Sequence, residues 1–276
     1  MVYDFDMRTI GSATKFLCNF LGMQDVEILV EYISECDCDP ELFWEHNSYK
    51  VENISLNDVK IWAFHITGSL DDCKEIKQNG LKNLQKVISE DTLISRFFKS
   101  YGIIFDINKK ILIYNGNEYN IDYNWYKEND YSNAPEKYLE PIAHRVFYDY
   151  CIDGFLEYDN VFDYGTDIHK RPEFLLKLSN AFPKLKSMEE EWEKGSKSYK
   201  VHFYALIEQI HRFTFDIKET NNELNEEEIA HIKKWLITYA LSRMTGNSDE
   251  IFIYINDDID IPPEQIDKCE EILEQS

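Results

Sequence analysis

The stretch Asp58–Leu81, DVKIWAFHITGSLDDCKEIKQNGL, decides how the chain is read. Val59, Ile61, Ala63, His65 and Thr67 alternate with Lys60, Trp62, Phe64 and Ile66, a mixed apolar, β-branched pattern that predicts a buried strand. Ser69, with Asp72 three residues on, has the form of a capping box, and Leu70, Cys73 and Ile76 share one helical face. Gly80 stands where a helix C-terminal glycine belongs. The segment is therefore expected to run strand, tight turn, short helix, glycine stop.

Working outward, residues 8–35 carry a helical period that includes Val26, Leu29, Val30 and Ile33, whereas Cys36–Asn57 reads as irregular. YGIIFDINKKILIYNGNEYNIDY predicts consecutive short strands with turns at Asn108–Lys110 and Asn115–Asn117. Residues 124–137 read as a loop, 138–160 as helical at first, and Tyr199–Asp216 as either strand or helix. Pro172 suits the first turn of a helix. Asn225 caps a long helix ending before Gly246. EIFIYIN then alternates as a strand, and IPPEQIDKCEEIL is expected to begin a last helix after its prolines.

Composition narrows the function. The 276 residues carry 52 acids against 29 Lys and Arg, a formal charge of -23, with no basic run. Such a surface repels phosphate backbones and anionic membrane surfaces, and it keeps a protein in solution. The chain starts without a signal-peptide pattern and has no apolar run of membrane-spanning length. Six cysteines form no CxxC pair, and Cys36–Cys38 has no matching second pair or adjacent His motif. Reduced thiols in a cytoplasm, with no metal, are the expectation.

Two segments carry candidate chemistry. In FHITGS, strand geometry sets His65 and Thr67 on one face, where a ring nitrogen and a hydroxyl could both bond a sugar hydroxyl, and Gly68 permits close approach of a ligand. In SDEIFIYINDDIDIPPEQI, Glu250 opens a strand and shares its face with Phe252 and Tyr254. A carboxylate there could stabilise a developing positive charge. The remaining histidines show no HExxH or HxH spacing, and Asp257, Asp258 and Asp260 read as a solvated turn.

HIT followed by a short helix and Gly80–Leu81 resembles the first motif of the ADP-ribosyltransferases, the group with poly-ADP-ribose polymerases, RNA 2′-phosphotransferases and DNA-modifying toxins. The stretch from Glu250 to Pro263 is similar to that family's closing motif. The resemblance implies an α+β fold with a split-sheet core over 59–276, helical insertions and a helical N-terminal extension over 1–58. It implies NAD as co-substrate, His65 and Thr67 on the nicotinamide ribose, and Glu250 supporting loss of nicotinamide. Tyr101 or Tyr164 would stack on nicotinamide, and Arg96 or Arg171 would meet the pyrophosphate. The acceptor could be a protein, a nucleobase or water, with charge favouring protein over nucleic acid. A toxin or defence role follows by family analogy alone. The competing readings are an acidic interaction or immunity module without catalysis, and an inactive protein of the same fold.

Overall fold

The computed structural model describes residues 1–276 except 132–135, 159, 164–166, 219–222, 248–249 and 274–276. In chain order the elements are β1 (Tyr3–Phe5), α1 (Ile10–Leu21), α2 (Asp25–Val30), a π-helical turn Glu31–Glu35, α3 (Pro40–Val51), β2 (Val59–Ser69), α4 (Lys74–Asn79), α5 (Leu84–Ser89) and α6 (Leu93–Ser100). They continue with β3 (Ile103–Asp106), β4 (Ile111–Tyr114), β5 (Asn117–Asn120), α7 (Tyr123–Glu128), α8 (Glu136–Phe147), β6 (Asp153–Glu157), α9 (Glu173–Ala181), α10 (Lys186–Gly195), β7 (Lys197–Leu206), α11 (Glu226–Met244), β8 (Ile251–Tyr254) and β9 (Ile266–Glu271). Helices and largely antiparallel sheets make this an α+β protein.

The chain divides into two compact units, the first from 1–65, 153–159 and 202–256, the second from 66–152, 160–201 and 257–276. The N-terminal 58 residues lie in the first unit, together with β6, β8 and α11.

In the first unit the strand order is β8-β6-β2-β7, with β1 parallel to the start of β2. Phe64 pairs with Phe155, and Phe155 with Phe252, so β2, β6 and β8 share one register. The core is aromatic. Phe5 meets Phe16 edge-on and lies beside Trp235, and Phe16 stacks on Phe20 at 4.8 Å. Fully burying each such ring contributes about 1.5–3 kcal/mol. α1 begins with a reciprocal Thr9–Ser12 capping box and ends at Gly22 in the left-handed region. Of the apolar residues in the helical period beyond it, Val26, Val30 and Ile33 are exposed, while Ile28 and Tyr32 are buried.

In the second unit β3, β4 and β5 form an antiparallel meander. Asn115 and Gly116 both hold positive φ, the pair of conformations a two-residue hairpin turn requires. Its core joins Phe98, Phe105 and Phe174 to Leu112, Ile142, Leu175 and Met188. The predicted helix over Ile261–Leu273 is absent. A single 3-10 turn at Pro263–Gln265 is followed by β9, which lies beside β7. The edge of β7 captures a segment of mixed propensity as a strand. Three further elements differ from the sequence reading. α3 occupies the segment read as irregular, α7 lies in the segment read as a loop, and β6 closes the segment read as helical.

Candidate functional site

β2 carries His65 midway along its length, between β6 and β7, with its side chain 29% exposed. Its Nδ1 lies 2.8 Å from the main-chain oxygen of Asp153, and the Asp153 carboxylate lies 3.5 Å away. A carbonyl oxygen only accepts, so Nδ1 carries the proton and donates. In the neutral ring Nε2 is then left as the acceptor, the atom that could take a hydrogen bond from a hydroxyl. Gly154, beside Asp153, makes room for this crossing: a Cβ there would stand 3.0 Å from the Phe64 carbonyl oxygen.

Glu250 lies exposed just before β8. The registers put His65 level with Gly154 and Ile253, three residues beyond Glu250 and two strands across. With about 3.3 Å per residue and about 4.8 Å per strand, the two Cα atoms stand roughly 14 Å apart. They also differ in face. Phe64 stacks on Phe155 and Phe155 meets Phe252, so these rings line one side, and alternation gives that side to Glu250 and the opposite one to His65. The first unit does not bring these two residues to a common point.

Glu250's face is rich in groups that the sequence reading passed over. Arg8 donates from Nη1 to Nδ1 of His202 at 3.0 Å, lies 5.0 Å over the Trp62 ring and forks onto Asp6. His202 packs 6.0 Å from Phe64. No short motif marks these residues, because the segment after β1, β2 and β7 supply them from distant parts of the chain. On the other face Arg243 of α11 pairs with the buried Glu157 at 2.5 Å.

The second unit holds the other expected site residues. Thr67 Oγ1 donates to the Gly68 oxygen at 3.4 Å. Gly68 is pressed against the Lys170 carbonyl, 2.6 Å from where a Cβ would sit. Arg171 is buried and donates from Nε to Glu189 at 2.6 Å, with Glu193 3.1 Å away. Burial alone would raise the Glu189 carboxyl, but hydrogen bonds from Lys186, Ser179 and Arg171 outweigh it and hold it at about 2. Tyr101 donates its hydroxyl to Glu191 at 2.6 Å, a bond that pushes its pKa to about 12. Arg96 is exposed and bound to Asp91 and Glu75. α10 thus occupies Arg171 and Tyr101 with its own carboxylates. Tyr164 lies outside the described residues. Cys73 and Cys269 share a hydrogen bond that raises the first thiol and lowers the second.

Folding also assembles what spacing concealed. α3 starts at Pro40 with Asp39 as its cap and carries His46 to within 3.6 Å of the Cys36 sulfur. The Asp39–Pro40 pair was the available signal of a helix start. Among the described residues no helix is long and apolar enough to cross a membrane. Comparison with family models, with curated proteins and with solved structures returned no match to this chain.

Proposed function

We propose that this chain binds NAD in the manner of the ADP-ribosyltransferases, through a ribose contact made by His65. The observation that carries the reading is the fixed tautomer of His65. Its Nδ1 is committed to the Asp153 carbonyl, so Nε2 is the available acceptor for a ribose hydroxyl. The side chain sits midway along β2 and is partly exposed, so a ligand could reach it. The HIT…GL motif supplies the choice of NAD over other hydroxylated ligands, and a split-sheet core of the same type goes with it. Under this reading nicotinamide would leave as the anomeric carbon gains positive charge. A protein side chain or water would then attack that carbon, giving mono-ADP-ribosylation or NAD hydrolysis. The acidic surface favours a basic protein acceptor over nucleic acid, in a cytoplasmic setting and, by family analogy, in a toxin or defence context.

A second reading has its own support. Extending the register and alternation of β8 by one residue sets Glu250 on the face opposite His65, about 14 Å away. That separation favours a protein that binds NAD without turning it over, an inactive relative in the sense of fold. Nicotinamide release and the thermal shift on adding NAD, measured on wild type, His65→Ala and Glu250→Ala with matched circular dichroism, distinguish the two. Release abolished in both variants supports transfer chemistry. A thermal shift lost in His65→Ala, with no release in any protein or lysate, supports binding alone. No shift in wild type removes NAD from consideration and returns the weight to an acidic interaction module.

A further inference from the structure

The first unit contains a second grouping, remote in sequence from His65 and unused by the reading above. Glu31, Cys36 and His46 place one carboxylate oxygen, one sulfur and one ring nitrogen within 4.8 Å of one another. The Cys36 sulfur lies 3.6 Å from His46 Nδ1, and His46 Nδ1 lies 3.7 Å from Glu31 Oε1. A tetrahedral zinc ion, with bonds of about 2.3 Å to sulfur and about 2.0–2.1 Å to nitrogen, holds those two atoms about 3.6 Å apart. The three atoms therefore stand near the corners of one coordination polyhedron.

Backbone geometry brings them there. In a regular α-helix, residues five apart are turned about 140° from each other. Between Glu31 and Cys36 the helix widens into a π-turn, and the Cys36 amide donates to the Glu31 carbonyl at 2.9 Å. That bond brings positions 31 and 36 toward one side. Such single turns are uncommon and cluster at functional sites. α3 then supplies His46, and one residue further on Asn47, 1% exposed, donates 2.7 Å to Glu31 Oε1. An outer hydrogen bond of this kind orients a ligating carboxylate. Cys36 is fully buried beside these groups.

We propose that Glu31, Cys36 and His46 bind one zinc-class divalent cation, with the fourth position left to water. Sulfur and imidazole select zinc or cobalt over magnesium or calcium. Three protein ligands with an open position are the arrangement of a reactive or exchangeable site and not of a closed structural one. Exposed Cys38 lies two residues away but is not assigned to the ion.

The test uses the reduced, chelator-treated full chain titrated with cobalt(II), read by thiolate-to-cobalt charge-transfer absorption in the near ultraviolet. One equivalent should saturate the band, zinc should bleach it and magnesium should not. Cys36→Ser should abolish it. His46 is 43% exposed, so His46→Ala should fold normally and weaken cobalt binding about tenfold or more. Cys38→Ser should keep the band. Absence of charge transfer in wild type, unchanged cobalt affinity in His46→Ala, or loss of the band in Cys38→Ser would overturn the assignment.

Discussion

His65 in the first unit and Arg171 in the second are both residues that a nucleotide could use, and their surroundings treat them oppositely. Arg171 is 6% exposed and held by two carboxylates of α10. His65 is partly exposed, with one ring nitrogen fixed by a backbone oxygen and the other not required by that bond. A polar side chain whose strongest partners are buried protein charges is part of the scaffold. One that is oriented at a single atom and open at another is equipped for a ligand. The difference turns a list of chemically suitable residues into a short list of candidates.

The largest expected effect tests the scaffold half of that contrast. Arg171→Ala leaves Glu189, with no exposed surface, short of its buried cation. Removing one partner of a buried pair should cost about 3–5 kcal/mol in urea unfolding. Stability should depend on acid in the same place. Glu189 sits at about 2 when folded and near 4.5 when unfolded. Its folded value is the lower one, so its contribution is complete above the unfolded value and is lost as pH falls from there toward 2. Glu189→Gln should flatten that part of the stability profile. An Arg171→Ala protein of wild-type stability would instead release Arg171 for a ligand role.

Next in size is a backbone effect at the motif glycine. Gly80 has φ +79°, and a Cβ there would lie 2.0 Å from the Ile261 carbonyl oxygen. Gly80→Ala should cost about 2 kcal/mol or more, because left-handed strain and a backbone clash add. Gly116 has the same φ with open space around it, so Gly116→Ala should cost only the conformational part, about 1 kcal/mol. Equal losses at both would mean that the β9 side relaxes freely. The glycine–leucine pair thus has a packing reason of its own, through the Leu81–Ile261 bridge, whatever ligand the motif serves.

The same asymmetry explains what could be read from sequence. β2, the α4 stop, the three-strand meander and α11 follow from local pattern: alternation, a glycine at positive φ, an Asn–Gly turn and a cap at Asn225. β6 and β9 could not be read so directly, because each becomes a strand through a distant partner, β2 and β7 respectively. The same reason hides Arg8 beside His202, 194 positions apart. Seeing that Glu250 does not meet His65 needed the register of three strands, and motif order carries no register. α3 was a different matter: Asp39 and Pro40 were a legible start that the polar surroundings obscured.

A smaller effect separates the two roles within the second unit. Tyr101→Phe removes the hydroxyl that Glu191 accepts from. The group is partly exposed, so the loss should be about 1 kcal/mol or less, and an NAD-dependent thermal shift should be unchanged. A lost shift would return Tyr101 to the ligand.

The smallest effect on stability belongs to the residue with the largest proposed role. His65→Gln keeps a planar, polar side chain near Asp153, and partial exposure leaves little burial to lose. Unfolding free energy should change by no more than about 0.5 kcal/mol. The NAD-induced thermal shift should nonetheless disappear, because the glutamine amide does not reproduce an acceptor nitrogen fixed by a donor on the same ring. A variant that is as stable as wild type but blind to NAD would place His65 on the ligand side of the contrast with Arg171. A variant that loses several kcal/mol while still responding to NAD would make His65 a scaffold residue as well. Only the ring stacking and the Glu250 side of the sheet would then remain as places for a ligand to meet the first unit.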